Sequence, residues 1–146
     1  MDCLTIDPKT VDLDGLIDIG TKVHGHLGPF LVAGIRLGLL ALELLDSPGY
    51  FGIHAESDTG SITPLSCLTD GIQIGSGCTA GKGNLTVTDA RLPQARFTMD
   101  DGRSVEIAVR EEAVTTFRGM EIHAASHWTK EQPLEALFTW KTLSSS

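Results

Sequence analysis

The sequence predicts an α+β fold in which helices pack on one face of a mostly antiparallel or mixed sheet. Three features carry that reading. The run PFLVAGIRLGLLALELL, residues 29–45, is apolar nearly all round, as a core helix is. RSVEIAV, residues 103–109, alternates strictly at Val105, Ile107 and Val109 behind the turn signal Asp100, Asp101, Gly102, which marks a hairpin strand. No repeat, charge block or linker divides the 146 residues. At that length roughly two-thirds of the unfolded surface can be buried without disulfide or structural metal, so residues 1–146 read as one domain.

The elements follow in order. Thr10 or Asp12 caps a first helix in which Leu13, Leu16, Ile17 and Val23 recur at near-helical spacing, ending around Gly25. Pro29 suits the first turn of the second helix, and Gly34 and Gly38 lie one turn apart so that another backbone can come close. SPG at 47–49 stops it. YFGIHAES, residues 50–57, reads as a strand, and a capping loop then leads to Pro64 at the start of a third helix that fails at Gly75 and Gly77. NLTVTD, ARFTM and RSVEIAV are strands, the last two forming a hairpin over 94–110. Residues 111–127 fit neither pattern clearly. PLEALFTW reads as a short helix or a last edge segment, and the SSS terminus as a frayed tail.

Composition excludes several function classes. A formal net charge of −8 with no polybasic patch argues against binding to nucleic acid or to an anionic membrane. The longest apolar run is 17 residues and contains Arg36 and Glu43, too short and too charged for a membrane span. Three cysteines, Cys3, Cys67 and Cys78, make an odd count without a tight pair, and the N-terminus lacks the order of a signal peptide; a reducing, cytoplasmic location is expected.

The chemistry-bearing residues cluster in a few segments. His24 and His26 flank Gly25 just before the Pro29 helix, facing its unpaired N–H groups. Such a place suits an anion, or a metal whose remaining ligand comes from another segment. The other reading of an isolated HxH is one ring packed in the loop and one solvated. Cys67 and Cys78 offer thiolates, but on an unbroken helix eleven residues would separate them by roughly 16 Å, so both join one site only if the chain bends at Gly75–Gly77 or a second copy of the chain contributes. Asp70 shares the helix face of Cys67. GCTAGKGN, residues 77–84, fails the P-loop pattern at Ser76 and Gly83, yet as a nest of N–H groups beside Lys82 it would lower the Cys78 thiol pKa. His123 and His127 lack the glutamate of a zinc protease at Ala124 and read as surface or packing residues. Asp58 and Glu56 are candidate outer-shell carboxylates for an imidazole.

Taken together, HGHLGP opening an apolar helix, ESD after a strand, CLTDGIQIGSGCTAGKGNL and the closing LEALFTW resemble the FmdE-like family, named for the E-type subunit of formylmethanofuran dehydrogenase, in order and spacing over nearly the whole chain. The most specific part is Cys67, then Asp70 and Gln73, then Gly77, Cys78, Thr79, Gly81, Lys82, Gly83 and Asn84. The resemblance implies an α+β, FwdE/GAPDH-domain-like fold, usually self-associated as a dimer, with a cavity near the HGH segment and the Cys-bearing helix. It implies His24, His26 and Cys67 as metal ligands, with Asp58, Asp70, Cys78 and Lys82 lining the pocket or supporting them. Zinc, or another divalent transition metal, is the ion this donor set suits.

Two departures from the family pattern stand out. Members typically have Cys after HGHL where this chain has Gly28, and the C-terminal zinc ribbon that many append is absent from the sequence. The parent complex reduces carbon dioxide onto methanofuran with a pterin held by its other polypeptides, and this chain offers no pterin or iron–sulfur site. The expected function is a metal-binding accessory domain holding one zinc-like ion in a cavity. The alternative is a metal-free module for assembly or for a small anionic ligand. No residue is assigned a catalytic role.

Overall fold

A computed structural model of the protein describes residues 3–143; the serine tail lies outside them. The helices pack around one that is almost wholly buried. Helix α1, Leu13–His24, ends where Gly25 takes the left-handed conformation at φ +106° and donates its N–H to Thr21 O. Asp12 occupies the N-cap position, although its carboxylate makes no capping bond. Helix α2, Pro29–Leu45, starts on Pro29 and is buried everywhere except Arg36, Glu43 and Leu44.

Helix α3, Cys67–Ser76, lies against α2 closely enough that glycines on both sides are obligatory. A Cβ at Gly34 would fall on Leu68 O, one at Gly71 on Leu31 O, and one at Gly75 on Ile35 O, all far inside contact distance. Thus the Gly34 and Gly38 pair serves a backbone approach, and the partner is α3. The helix begins three residues later than Pro64, because residues 63–66 form turns instead of the first helical turn. It ends at Gly77, φ +76°.

The sheet has five strands: β1, Ile53–Ser57; β2, Leu85–Val87; β3, Gln94–Met99; β4, Ser104–Val109; and β5, Phe138–Leu143, in the order β2-β1-β3-β4-β5. β1 and β2 are parallel and the other pairs antiparallel, so the sheet is mixed and the fold α+β. β1 starts at Ile53 and not at Tyr50, because Gly49, Tyr50 and Gly52 all have positive φ and turn the chain before it can pair. Alternation decides which face is buried: Ile53, Ala55, Phe97, Val105 and Ile107 point into the core against α2, while Glu56, Arg96, Glu106 and Lys141 stand in one row on the open face.

The ambiguous stretch resolves into two helices, α4, Glu111–Gly119, and α5, Ile122–Glu131, separated by extended Met120. PLEALFTW contains both proposed elements, the single turn α6, Leu134–Leu137, followed by the edge strand β5. Arg36 crosses from α2 to close the end of α5, donating to Thr129 O at 2.9 Å and to Gln132 O.

Candidate metal centre

Three element ends meet at one place. His24 is the last residue of α1, His26 follows the left-handed Gly25, and Cys67 is the first residue of α3. The reversal at Gly25 brings the two imidazoles together, with ring centroids 4.6 Å apart and planes inclined at 48°. One ligand atom from each of His24, His26 and Cys67 lies within 4.8 Å of the others. A tetrahedral zinc shell with Zn–N near 2.0 Å and Zn–S near 2.3 Å has edges of roughly 3.3–3.7 Å, so the triangle approaches one even at its widest.

His24 carries the strongest local signal. Its side chain is only 7% exposed, and its Nδ1 lies 2.5 Å from Asp70 Oδ2. Because a carboxylate only accepts, Nδ1 carries the proton, and Nε2 of the neutral ring is left with its lone pair. That Nε2 is buried and has no hydrogen-bond partner among the described residues. A buried imidazole nitrogen without a partner costs free energy unless something accepts its lone pair, and a metal ion does. Gln73 Nε2 donates to the other carboxylate oxygen of Asp70 at 3.4 Å. Cys67, Asp70 and Gln73 therefore follow one another at three-residue spacing on α3, with Gln73 supporting the carboxylate that holds His24.

His26 is exposed and turns Nδ1–H toward Leu27 O at 3.1 Å, which leaves its Nε2 free. The Cys67 thiol is buried. Burial pushes its pKa up, the Asp70 carboxylate adds to that, and a backbone hydrogen bond partly offsets both. A cation is the charge this arrangement lacks, since a bound divalent ion reverses both raising effects. The donors present thus fit a transition metal.

Gly28, the N-cap of α2, leaves space for a side chain. A Cβ there would be 3.7 Å from His26 Cε1 and 3.8 Å from Ile122 Cδ1, ordinary contact distances. A cavity of about 220 Å³ opens beside His26, Gly28 and Cys67, walled by Phe30, Phe117 and Ile122. Phe117 and Ile122 come from the stretch that the sequence pattern left unassigned; the four-residue spacing of Ala113 and Phe117, both buried, is the signal that marks it as a helix face.

Other expected site residues lie elsewhere. Cys78 is fully buried beyond the far end of α3, with its thiol directed at Ile53 O, 3.8 Å away, and it lines no part of this cavity. Its pKa is raised, not lowered: burial outweighs the hydrogen bond to Ser76 and the charge of Lys82. Lys82 is likewise remote from the histidines. It donates from Nζ to Gly77 O at 2.6 Å and to Thr79 Oγ1 at 2.9 Å, and so ties its own loop together. Asn84 completes that closure by donating to Tyr50 O and Ile53 O and accepting from Thr79 N–H. The glycine-rich segment is a self-satisfied connection, not an anion nest. Asp58 accepts from Thr88 Oγ1 and Gln94 Nε2 and supports no imidazole. Asp70 holds that place instead. His123 and His127 are exposed on α5.

The family model for FmdE, described as molybdenum formylmethanofuran dehydrogenase operon, matches residues 23–143, a span that contains the whole cluster. The chain belongs to the FmdE family. Among solved structures, the FmdE chain resembles a tungsten formylmethanofuran dehydrogenase FmdE-like protein from Syntrophus aciditrophicus. That match has a TM-score of 0.72 and 16% identity, covering 99% of this chain and 78% of the other, and it bears on the fold alone. A curated relative, a probable S-adenosyl-L-methionine-binding protein of Archaeoglobus fulgidus, is 31% identical over 104 residues, 68% of this chain. The FmdE chain spans 28% of that relative's length.

Proposed function

We propose that this FmdE-family chain is a metal-binding domain, spanning residues 1–146, in which His24, His26 and Cys67 hold one divalent transition metal. One observation carries the reading: the buried, partnerless Nε2 of His24, aligned by Asp70 and grouped with an imidazole and a thiol. Zinc is the ion the nitrogen and sulfur donors suit best. When bound, such an ion supplies Lewis acidity at a fixed point. The chain's own residues do the rest. Asp70 holds the His24 tautomer, the α2–α3 packing fixes Cys67, and Gly28 keeps one side of the cluster open to the adjoining cavity.

Elemental analysis of untagged protein tests this. The expected result is near-unit stoichiometry of a transition metal, lost in Cys67→Ser and His24→Ala. Absence of metal at any stoichiometry, with an anion found in the cavity of crystals grown without chelator, would instead support the metal-free alternative. What the Archaeoglobus relative binds is not carried over, because the match spans only 28% of that relative's length.

The accessory character rests on the family's place in a dehydrogenase complex of several polypeptides. A homodimer is the proposed assembly, supported by Ile19 and Val23, exposed one turn apart on α1; light scattering on the eluted protein reads its mass. A cytoplasmic location is proposed from the free state of Cys3, Cys67 and Cys78. Among the described residues no helix is long and apolar enough to cross a membrane.

A further inference from the structure

The cavity beside the cluster has its own chemistry. Phe30, Phe117, Met120 and Ile122 form its apolar walls, His26 and Cys67 close one end, and Arg118 is its one charged lining residue among those described. No acidic side chain lines it among the described residues. Arg118 is exposed and pairs with no carboxylate among the described residues. Gly28 gives α2 no side-chain cap, so the first-turn N–H groups of a 17-residue helix have no side-chain acceptor at the same cavity. Arg118 and the uncapped start of α2 favour an anion, and the phenyl and aliphatic walls favour an apolar body.

We propose that this cavity binds a small organic carboxylate with a compact apolar body. The carboxylate meets Arg118, whose planar fork matches it, and the uncapped start of α2. The body packs on Phe30, Phe117, Met120 and Ile122. The open cavity of about 220 Å³ has room for a body of benzene size, which about 150 Å³ encloses. A polyhydroxylated ligand is disfavoured because its hydroxyls would face phenyl rings unpaired. The end wall, His26 and Cys67, is shared with the proposed metal site, but the carboxylate contacts do not require the ion.

Titration of butyrate, benzoate and their uncharged amides into untagged protein tests it, with heat and tryptophan emission as readouts and metal content recorded on the same samples. Trp128 packs edge-on against the cavity residue Phe117, ring centroids 6.2 Å apart, and reports occupancy. Benzoate or butyrate is expected to bind at one equivalent, with the matching amide at least tenfold weaker. Arg118→Gln, at an exposed position, is expected to weaken the acid at least tenfold and leave the amide unchanged. Ile122→Trp, also at an exposed position, fills the cavity and should abolish binding of both. Equal binding of acid and amide, or an Arg118→Gln protein that binds the acid normally, overturns the proposal. Protein that carries one metal and binds neither acid overturns it too, while leaving the metal reading intact. Acid binding by protein that never holds metal supports the cavity and removes the metal reading.

Discussion

His24 Nδ1 sits 2.5 Å from Asp70 Oδ2 although 46 residues separate them, and this one hydrogen bond decides which imidazole nitrogen faces the candidate metal centre. The carboxylate accepts a hydrogen bond from Nδ1–H and so leaves the buried Nε2 as the free ring nitrogen, in a cluster with His26 and Cys67.

Removing that charge should weaken metal binding without unfolding the protein. Asp70→Asn is expected to reduce metal affinity about 10- to 100-fold, as loss of such outer partners generally does. Gln73→Leu, one step further out, should have a smaller effect in the same direction. Competition with a chromogenic chelator reads both, and an unchanged affinity in Asp70→Asn would contradict the orienting role.

Gly28 has room for a side chain and an extended backbone, φ −160°, that any residue adopts. Gly28→Cys should therefore fold normally and add a thiolate next to His26. The expected outcome is at least a tenfold gain in metal affinity, with stronger sulfur-to-metal absorption in the cobalt-substituted protein. Loss of metal in this variant would show that the open side is required.

The α2–α3 contact should be intolerant of a single methyl group. Gly34→Ala and Gly71→Ala each place Cβ on a facing backbone carbonyl, so the helices must separate, and a loss of at least about 2 kcal/mol is expected in urea denaturation. Gly81→Ala is the control. Its Cβ would meet nothing within 4 Å, and stability should stay within about 0.5 kcal/mol.

Arg36 closes α5 by donating to two carbonyls, and burial pulls its guanidinium pKa down, with Glu131 partly offsetting. Arg36→Met should cost about 2–3 kcal/mol, because the Thr129 and Gln132 carbonyls lose a charged donor. Arg36→Lys restores the charge but not the fork and should recover only part of it.

Alkaline pH should destabilise the protein through Cys78. Folding raises this thiol's pKa, chiefly by burial, so the folded state holds its proton more tightly than the unfolded one. The resulting stability is fully present below the unfolded value of about 8.5 and is lost as pH rises through the folded value. The urea midpoint should fall between pH 8 and pH 10, and less so in Cys78→Ala. Cys67 retains a contribution of the same sign. Thiol reagents at neutral pH should modify exposed Cys3 well before the buried pair.

Much of this was legible in the chain because it is local. Pro29 and the end of the apolar run bound α2 as its residues require, and the alternation at Val105, Ile107 and Val109 marked the buried face of β4. The Gly34 and Gly38 spacing announced a close backbone, though not whose. Residues 111–127 resisted reading because α4 and α5 are short, only partly buried and broken at Met120, so neither builds a long periodic stripe. Cys78 and Lys82 misled for a related reason. A glycine-rich loop beside a lysine looks the same in sequence whether its N–H groups face a ligand or its own carbonyls.

By itself, then, the sequence determined the periods: which residues form helices or strands, which faces are apolar, and which side chains have metal-binding chemistry. The tertiary structure alone decided that the ends of α1 and α3 converge, that Asp70 rather than Asp58 holds the imidazole, and that Cys78 is sealed in the core beyond the far end of α3. The physical reason is range. Backbone periodicity follows from neighbours three or four residues apart, whereas a site joining His24 to Cys67 exists only once glycine-to-glycine packing has fixed how two helices lie against each other.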